Sequence, residues 1–171
     1  MQLIGQSIFG EAVDDHFGYS VALSPDGKTV AIGAGGGVEV NDRPGYVRVF
    51  YLESDDFGSS WKQLGQDITG DANGDDFGYS VSLSDDGKTL AVGARTNDGN
   101  GENSGHVRVY RMDDSSTSWR QVGEDIDGVL SWDRSGVSVS LSADGTTVAI
   151  GAWGNDDNEI SSGHVRIFSV K

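Results

Sequence analysis

The chain has 171 residues with 12 basic against 27 acidic side chains, a formal charge of −15, 26 glycines, two prolines and no cysteine. That balance argues against a nucleic-acid partner, which needs basic patches to displace counterions from phosphate, and against an anionic membrane surface. The missing cysteine excludes disulfides, thiolate metal sites and a cysteine nucleophile, while no apolar run nears the roughly 20 residues of a membrane span and no basic run followed by an apolar stretch opens the chain.

In chain order, Met1-Gln-Leu-Ile-Gly-Gln-Ser-Ile8 comes first, followed by Phe17-Gly-Tyr-Ser-Val-Ala-Leu-Ser24. There Tyr19, Val21 and Leu23 alternate with Ser20, Ala22 and Ser24, the period of two that predicts a half-buried strand. Asp26-Gly27 marks a tight hairpin, glycine supplying the positive φ. Thr29-Val-Ala-Ile-Gly-Ala34 is apolar on both sides, as a strand covered on both faces should be. Gly45 opens a third strand at Tyr46-Val-Arg-Val-Phe50, and Trp61-Lys-Gln-Leu-Gly-Gln-Asp-Ile68 is a fourth. The series then returns from Phe77, Thr89, His106 and Trp119, and again from Ser135, Thr147 and His164. Counting back from Phe17 shows Met1–Ile8 to be the same segment as Trp61–Ile68, with its tryptophan replaced. No helical stripe occurs.

Four antiparallel strands per repeat, in tandem, predict an all-β fold of β-propeller blades, since a single blade cannot cover both of its faces and must stack on neighbours. Phe17-Gly-Tyr-Ser-Val21 to Gly33-Ala34, Phe77-Gly-Tyr-Ser-Val81 to Gly93-Ala94, and Gly136, Ser138, Val139 and Gly151-Ala152 of the third unit resemble the FG-GAP repeats of integrin-alpha-type propellers. That resemblance implies extracellular adhesion through protein or glycan ligands, with calcium as the usual metal. The family's calcium loop between the first two strands is replaced here by short turns such as Ser84-Asp-Asp-Gly-Lys88.

The expected organisation is one module of three repeats, 1–60, 61–118 and 119–171. A ring needs about four to eight blades, so the expectation is a homodimer of six in which residues 1–8 complete the third blade of the partner chain; the alternative is a piece of a longer array.

Propeller connectivity puts the loops from fourth to first strand and from second to third strand on one rim. That rim takes 15 of the 27 acids, Glu39 and Asp42 among them, against Arg43, Arg95 and Arg134. Two of its loops have oxygen ligands at alternate positions, as calcium loops do: Asp71, Asn73 and Asp75, and Asp98, Asn100 and Glu102. The same residues are also what turns are made of. Arg48, Arg108 and Arg166 recur at one strand position and should clamp a fourth-strand carboxylate, Asp67 or Asp125. His106 and His164 occupy the place of Tyr46 and read as strand-entry residues. Trp132 and Trp153 are unrepeated rim-loop aromatics, candidates for a sugar platform or partner anchor. The expected function is a non-catalytic binding module acting through the acidic face, the alternative a structural repeat without a ligand. No histidine is placed for a triad and no glycine-rich loop joins a strand to a helix, so no enzyme is expected.

Overall fold

The computed structural model describes residues 2–35, 43–56, 58–113 and 117–171. Its strands are β1 (Ser20–Leu23), β2 (Thr29–Ala34), β3 (Tyr46–Asp55), β4 (Gly58–Gln63), β5 (Ile68–Thr69), β6 (Phe77–Leu83), β7 (Thr89–Ala94), β8 (His106–Met112), β9 (Trp119–Gln121), β10 (Ile126–Asp127), β11 (Ser138–Leu141), β12 (Thr147–Ala152) and β13 (His164–Ser169). They form three antiparallel sheets, β1 to β5, β6 to β10 and β11 to β13. Each sheet is a blade. The first two strands pair in the same register in all three, Ser20 opposite Gly33, Ser80 opposite Gly93 and Ser138 opposite Gly151. The hairpins between them close alike: Gly27, Gly87 and Gly145 stand at φ of 69°, 69° and 66°, and the preceding serine hydroxyl donates to Asp26, Asp86 or Asp144.

The hydrophobic cores lie between blades, as the alternation of β1, β6 and β11 requires. Val81 and Leu83 of the second blade pack on Ala31, Val47 and Val49 of the first. Val139 and Leu141 of the third pack on Ala91, Val107 and Val109 of the second. The serine face of each first strand turns to the following blade, where Ser20 Oγ donates to Gly78 O and Ser80 Oγ to Gly136 O, both at 2.7 Å.

The outer strand departs from expectation. The sequence predicts one strand over Trp61–Ile68, but β4 and β5 are separate, as are β9 and β10. The gap has a physical cause. After Leu64 N donates to Val49 O of its own sheet, the chain turns to bracket Trp119 of the next blade: Leu64 O accepts from the indole N–H at 2.9 Å, while the Gln66 side chain donates to Trp119 O and accepts from Trp119 N. Ile4 and Gln6 bracket Trp61 in the same way. Residues 2–8 therefore form no strand here, although they occupy the outer-strand place beside the first blade.

Candidate functional site

The rim loops are sewn together by acids that the sequence presents as solvent groups. Asp15, Asp75 and Asp133 occupy one repeat position and are all buried. Asp15 accepts from Glu11 N, Ala12 N and the Tyr46 hydroxyl and pairs with Arg43 at 2.9 Å. Asp133 accepts from Val129 N, Leu130 N and the Asn155 amide, each at 3.0 Å. Asp76 pairs with Arg95 at 3.0 Å. These bonds join loops from fourth to first strand to loops from second to third strand, so the two share a rim. The rim is therefore less of a free carboxylate ring than its composition suggests. Glu39 and Asp42 lie outside the described residues.

The third blade breaks this pattern. Where the second blade pairs Asp76 with Arg95, the third has Arg134 and Trp153. The Arg134 guanidinium stands 5.1 Å from the Trp153 ring centre and 5.8 Å from that of Trp132, inside the roughly 6 Å reach of cation–π attraction. Both indoles remain half exposed, at 48% and 51%. Trp132 has φ of +69°, at the position Gly74 fills with +84° in the second blade; a bulky side chain there costs on the order of 1–3 kcal/mol and persists only when its surroundings hold it. Trp132 N donates to Glu102 O, Arg134 N to Asn103 O and Gly154 N to Asp133 O. The platform is thus fixed to two neighbouring loops before any ligand arrives. Sequence reading singled out both tryptophans but counted Arg134 only as a rim base. The missed signal was its place in the repeat, where the second unit has an acid.

The residues with calcium-like spacing are engaged elsewhere. Asp71 is taken by the Arg108 guanidinium, Asp75 is buried and accepts from the Asn97 amide at 2.9 Å, and Asn73 is exposed. Asp98 accepts from Asn103 N, Asn100 donates to Gly128 O, and Glu102 is exposed with its carbonyl on Trp132 N. These donors and the neighbouring guanidinium do not fit a calcium cage: the alternating spacing is turn chemistry. Among the described residues, one trio of potential ligands gathers, His106, Asp125 and Asp127. There Arg108 takes both oxygens of Asp125, at 2.8 and 2.6 Å, so a cation would face a fixed positive charge.

Two of the three repeated arginines, Arg48 and Arg108, act as the expected clamps, whereas Arg166 reaches the Asp127 carbonyl and the Ser135 hydroxyl and no carboxylate. Arg48 grips Asp67 through two bonds at 2.9 and 2.7 Å. The Arg48 guanidinium holds Asp67 below the usual carboxylate value of 3.8, and Arg108 does the same to Asp71 and Asp125. Burial, with Arg108 nearby, pushes His106 below its usual 6.5. Lowered carboxylates stabilise the fold above their unfolded value, and that contribution is lost as pH falls through the folded values; a histidine held neutral likewise opposes the fold's survival once its unfolded form takes a proton. The melting temperature is expected to be level above about pH 7, to decline below about pH 6.5 and to fall most steeply below about pH 4. Thermal scans across that range check this, and a rise toward acid contradicts it.

The fold and rim define blades of the β-propeller class. The FG-GAP repeat model matches residues 69–110 and 127–168, and the chain carries FG-GAP repeats. No curated protein matches it. Similar solved structures include the hydrazine synthase of Kuenenia stuttgartiensis, 17% identical with a TM-score of 0.47 over 88% of this chain and 44% of that one. A periplasmic gluconolactonase of Pseudomonas aeruginosa is 20% identical, with a TM-score of 0.48 over 80% of this chain and 37% of that one. A candidate 6-phosphogluconolactonase of Bacteroides uniformis is 18% identical, with a TM-score of 0.44 over 88% and 40%. The chain spans less than half the length of each. Two of these carry lactonase names, so the expectation of no enzyme, drawn from the missing triad and phosphate loop, does not stand; at such identity no reaction passes to this chain. No helix among the described residues is long and apolar enough to cross a membrane.

Proposed function

We propose that the third blade's rim is a recognition site for a glycan, in an extracellular adhesion role of the kind the FG-GAP resemblance implies. The observation that carries this reading is the pair of half-exposed indoles, Trp132 and Trp153, set around Arg134 at the place where the second blade has a closed ion pair. Indole faces stack on the C–H faces of sugars. Exposed acids on adjoining loops, Glu102, Asp156 and Asp157, supply acceptors for hydroxyl groups. The backbone bonds from Trp132 to Glu102 and from Arg134 to Asn103 keep the platform ordered, which reduces the entropy lost on binding.

Titration with an oligosaccharide panel, followed by tryptophan fluorescence, tests the reading. Trp153→Ala is expected to weaken binding roughly thirtyfold, the equivalent of about 2 kcal/mol for an anchoring aromatic. Proton NMR of the same mixtures reads turnover as well as binding. Silence across the panel removes the reading and leaves a structural repeat, which the recurrent brackets around Trp61 and Trp119 favour.

A further inference from the structure

We propose that the outward face of the third blade docks a second copy of this chain, which seats its Phe17-Gly18 element between β12 and β13 and closes a six-bladed ring head to tail. This goes beyond the glycan reading and does not depend on it.

The two seams inside the chain show what such a face holds. At the first, Gly78 of the second blade sits at φ +91° against the first blade; a Cβ on it would meet Tyr46 O at 2.7 Å and Val47 Cγ2 at 3.2 Å, and its carbonyl accepts from Ser20 Oγ. At the second, a Cβ on Gly136 would meet His106 O at 2.5 Å and Val107 Cγ2 at 3.0 Å, and its carbonyl accepts from Ser80 Oγ. The repeat equivalents in the third blade are Ser138, Gly151, Ala152, His164 and Val165. All five line one open groove of about 480 Å³. At the other end of the array, Gly18 holds the same backbone, φ +94°, with nothing within 4 Å of an added Cβ. One end offers the element and the other its seat.

The apolar surfaces match in the same sense. Val47, Val49 and Val107 are 0% exposed within their seams, whereas their equivalents Val165 and Ile167 are 68% and 69% exposed. Val21 and Leu23, equivalents of the packed Val81 and Leu83, are 65% and 60% exposed. Open apolar sheet faces of this kind favour association.

An unpartnered buried group supplies a separate observation. Arg48 Nε and Arg108 Nε donate to Asp67 and Asp125 of their outer strands. Arg166 Nε is buried with no partner, and among the described residues β13 has no outer strand beside it. The segment of a second copy that belongs there is residues 2–8. Its Ser7 stands at the position of Asp67 and Asp125, and its Ile8 at that of Ile68 and Ile126, which pair with Val47 and Val107. Ser7 of a second copy would accept from Arg166 Nε while its Ile8 pairs with Val165. The three blades of these 171 residues make six with two copies, inside the usual range of about four to eight, and two identical seams close the ring.

Light scattering on the 171-residue chain over a wide range of concentration is expected to give a particle of twice the 18.0 kDa chain mass. Val165→Asp and Leu23→Asp alter groups that are exposed in the single copy, so each variant should keep the β circular-dichroism signature and run as a monomer. An equimolar mixture of the two should recover the pair, because the unmodified faces of each variant complete one seam. A wild-type chain that stays at its own mass overturns the proposal. So does a pair that survives both substitutions, a pair that mixing fails to restore, or an open polymer in place of a closed pair. Trp153 of the glycan platform lines the same groove, so glycan binding is read on the Leu23→Asp monomer, whose third-blade face stays open, and a negative result there leaves this test intact.

Discussion

Arg108→Met should lower the stability of the chain by about 3 kcal/mol, the low end for removing one partner of a buried ion pair because Asp125 and Asp71 retain some solvent. That corresponds to a fall of roughly 6–12 °C in melting temperature for a chain of this size. The arginine is buried to 8% exposure, grips both oxygens of Asp125 and also reaches Asp71 across the entry to the next blade. Methionine fills the volume but leaves the partly buried Asp125 carboxylate facing an apolar wall. Adding Asp125→Leu should recover most of the loss, since the cost arises from the orphaned charge. Arg166→Met is the internal control: its guanidinium reaches the Asp127 carbonyl and the Ser135 hydroxyl and no carboxylate, so about 1 kcal/mol is expected. Thermal scans of the three variants beside the unmodified chain separate these cases. Equal losses for Arg108 and Arg166 would show that the carboxylate clamp contributes nothing of its own.

Those clamps were legible before any coordinates, because an arginine recurring at one strand position beside a recurring aspartate has few other uses inside a sheet. The strands were legible for a similar reason: alternation in β1, apolarity on both sides of β2 and Asp-Gly turns are local signals, repeated three times. Groups whose partners lie far along the chain were not legible. Gln6 and Gln66 look like ordinary surface residues until their amides bracket tryptophans 55 and 53 positions away. Asp75 looked like a cation ligand because loop acids and calcium loops share an alternating spacing; its burial against Asn97 depends on a loop 22 residues on. Arg134 became part of the site only when the loops of Trp132 and Trp153 met. Secondary structure and the within-blade clamps were thus readable from pattern, while the contacts that join blade to blade and loop to loop required geometry.

The sharpest test of blade stacking is one methyl group placed at two equivalent positions. At Gly93 a Cβ would lie 2.1 Å from the Gly136 carbonyl oxygen and 2.5 Å from Ser80 Oγ. The carbonyl is backbone of the next blade and cannot yield unless that blade moves, so Gly93→Ala is expected to cost about 3 kcal/mol, the upper part of the range for overpacking. At Gly151 the same methyl meets only the Ser138 hydroxyl, at 2.4 Å, and that side chain can rotate. In the Val165→Asp background, where no second copy docks, Gly151→Ala should cost less than about 1 kcal/mol. In the otherwise unmodified chain it should abolish the pair, because the clash seen at Gly93 would now arise against Gly18 of the incoming copy. Urea titration reads the first effect and light scattering the second. If Gly93→Ala and Gly151→Ala in that background lose equal stability, the blades do not abut through this glycine, and the seat assigned to the second copy fails with it.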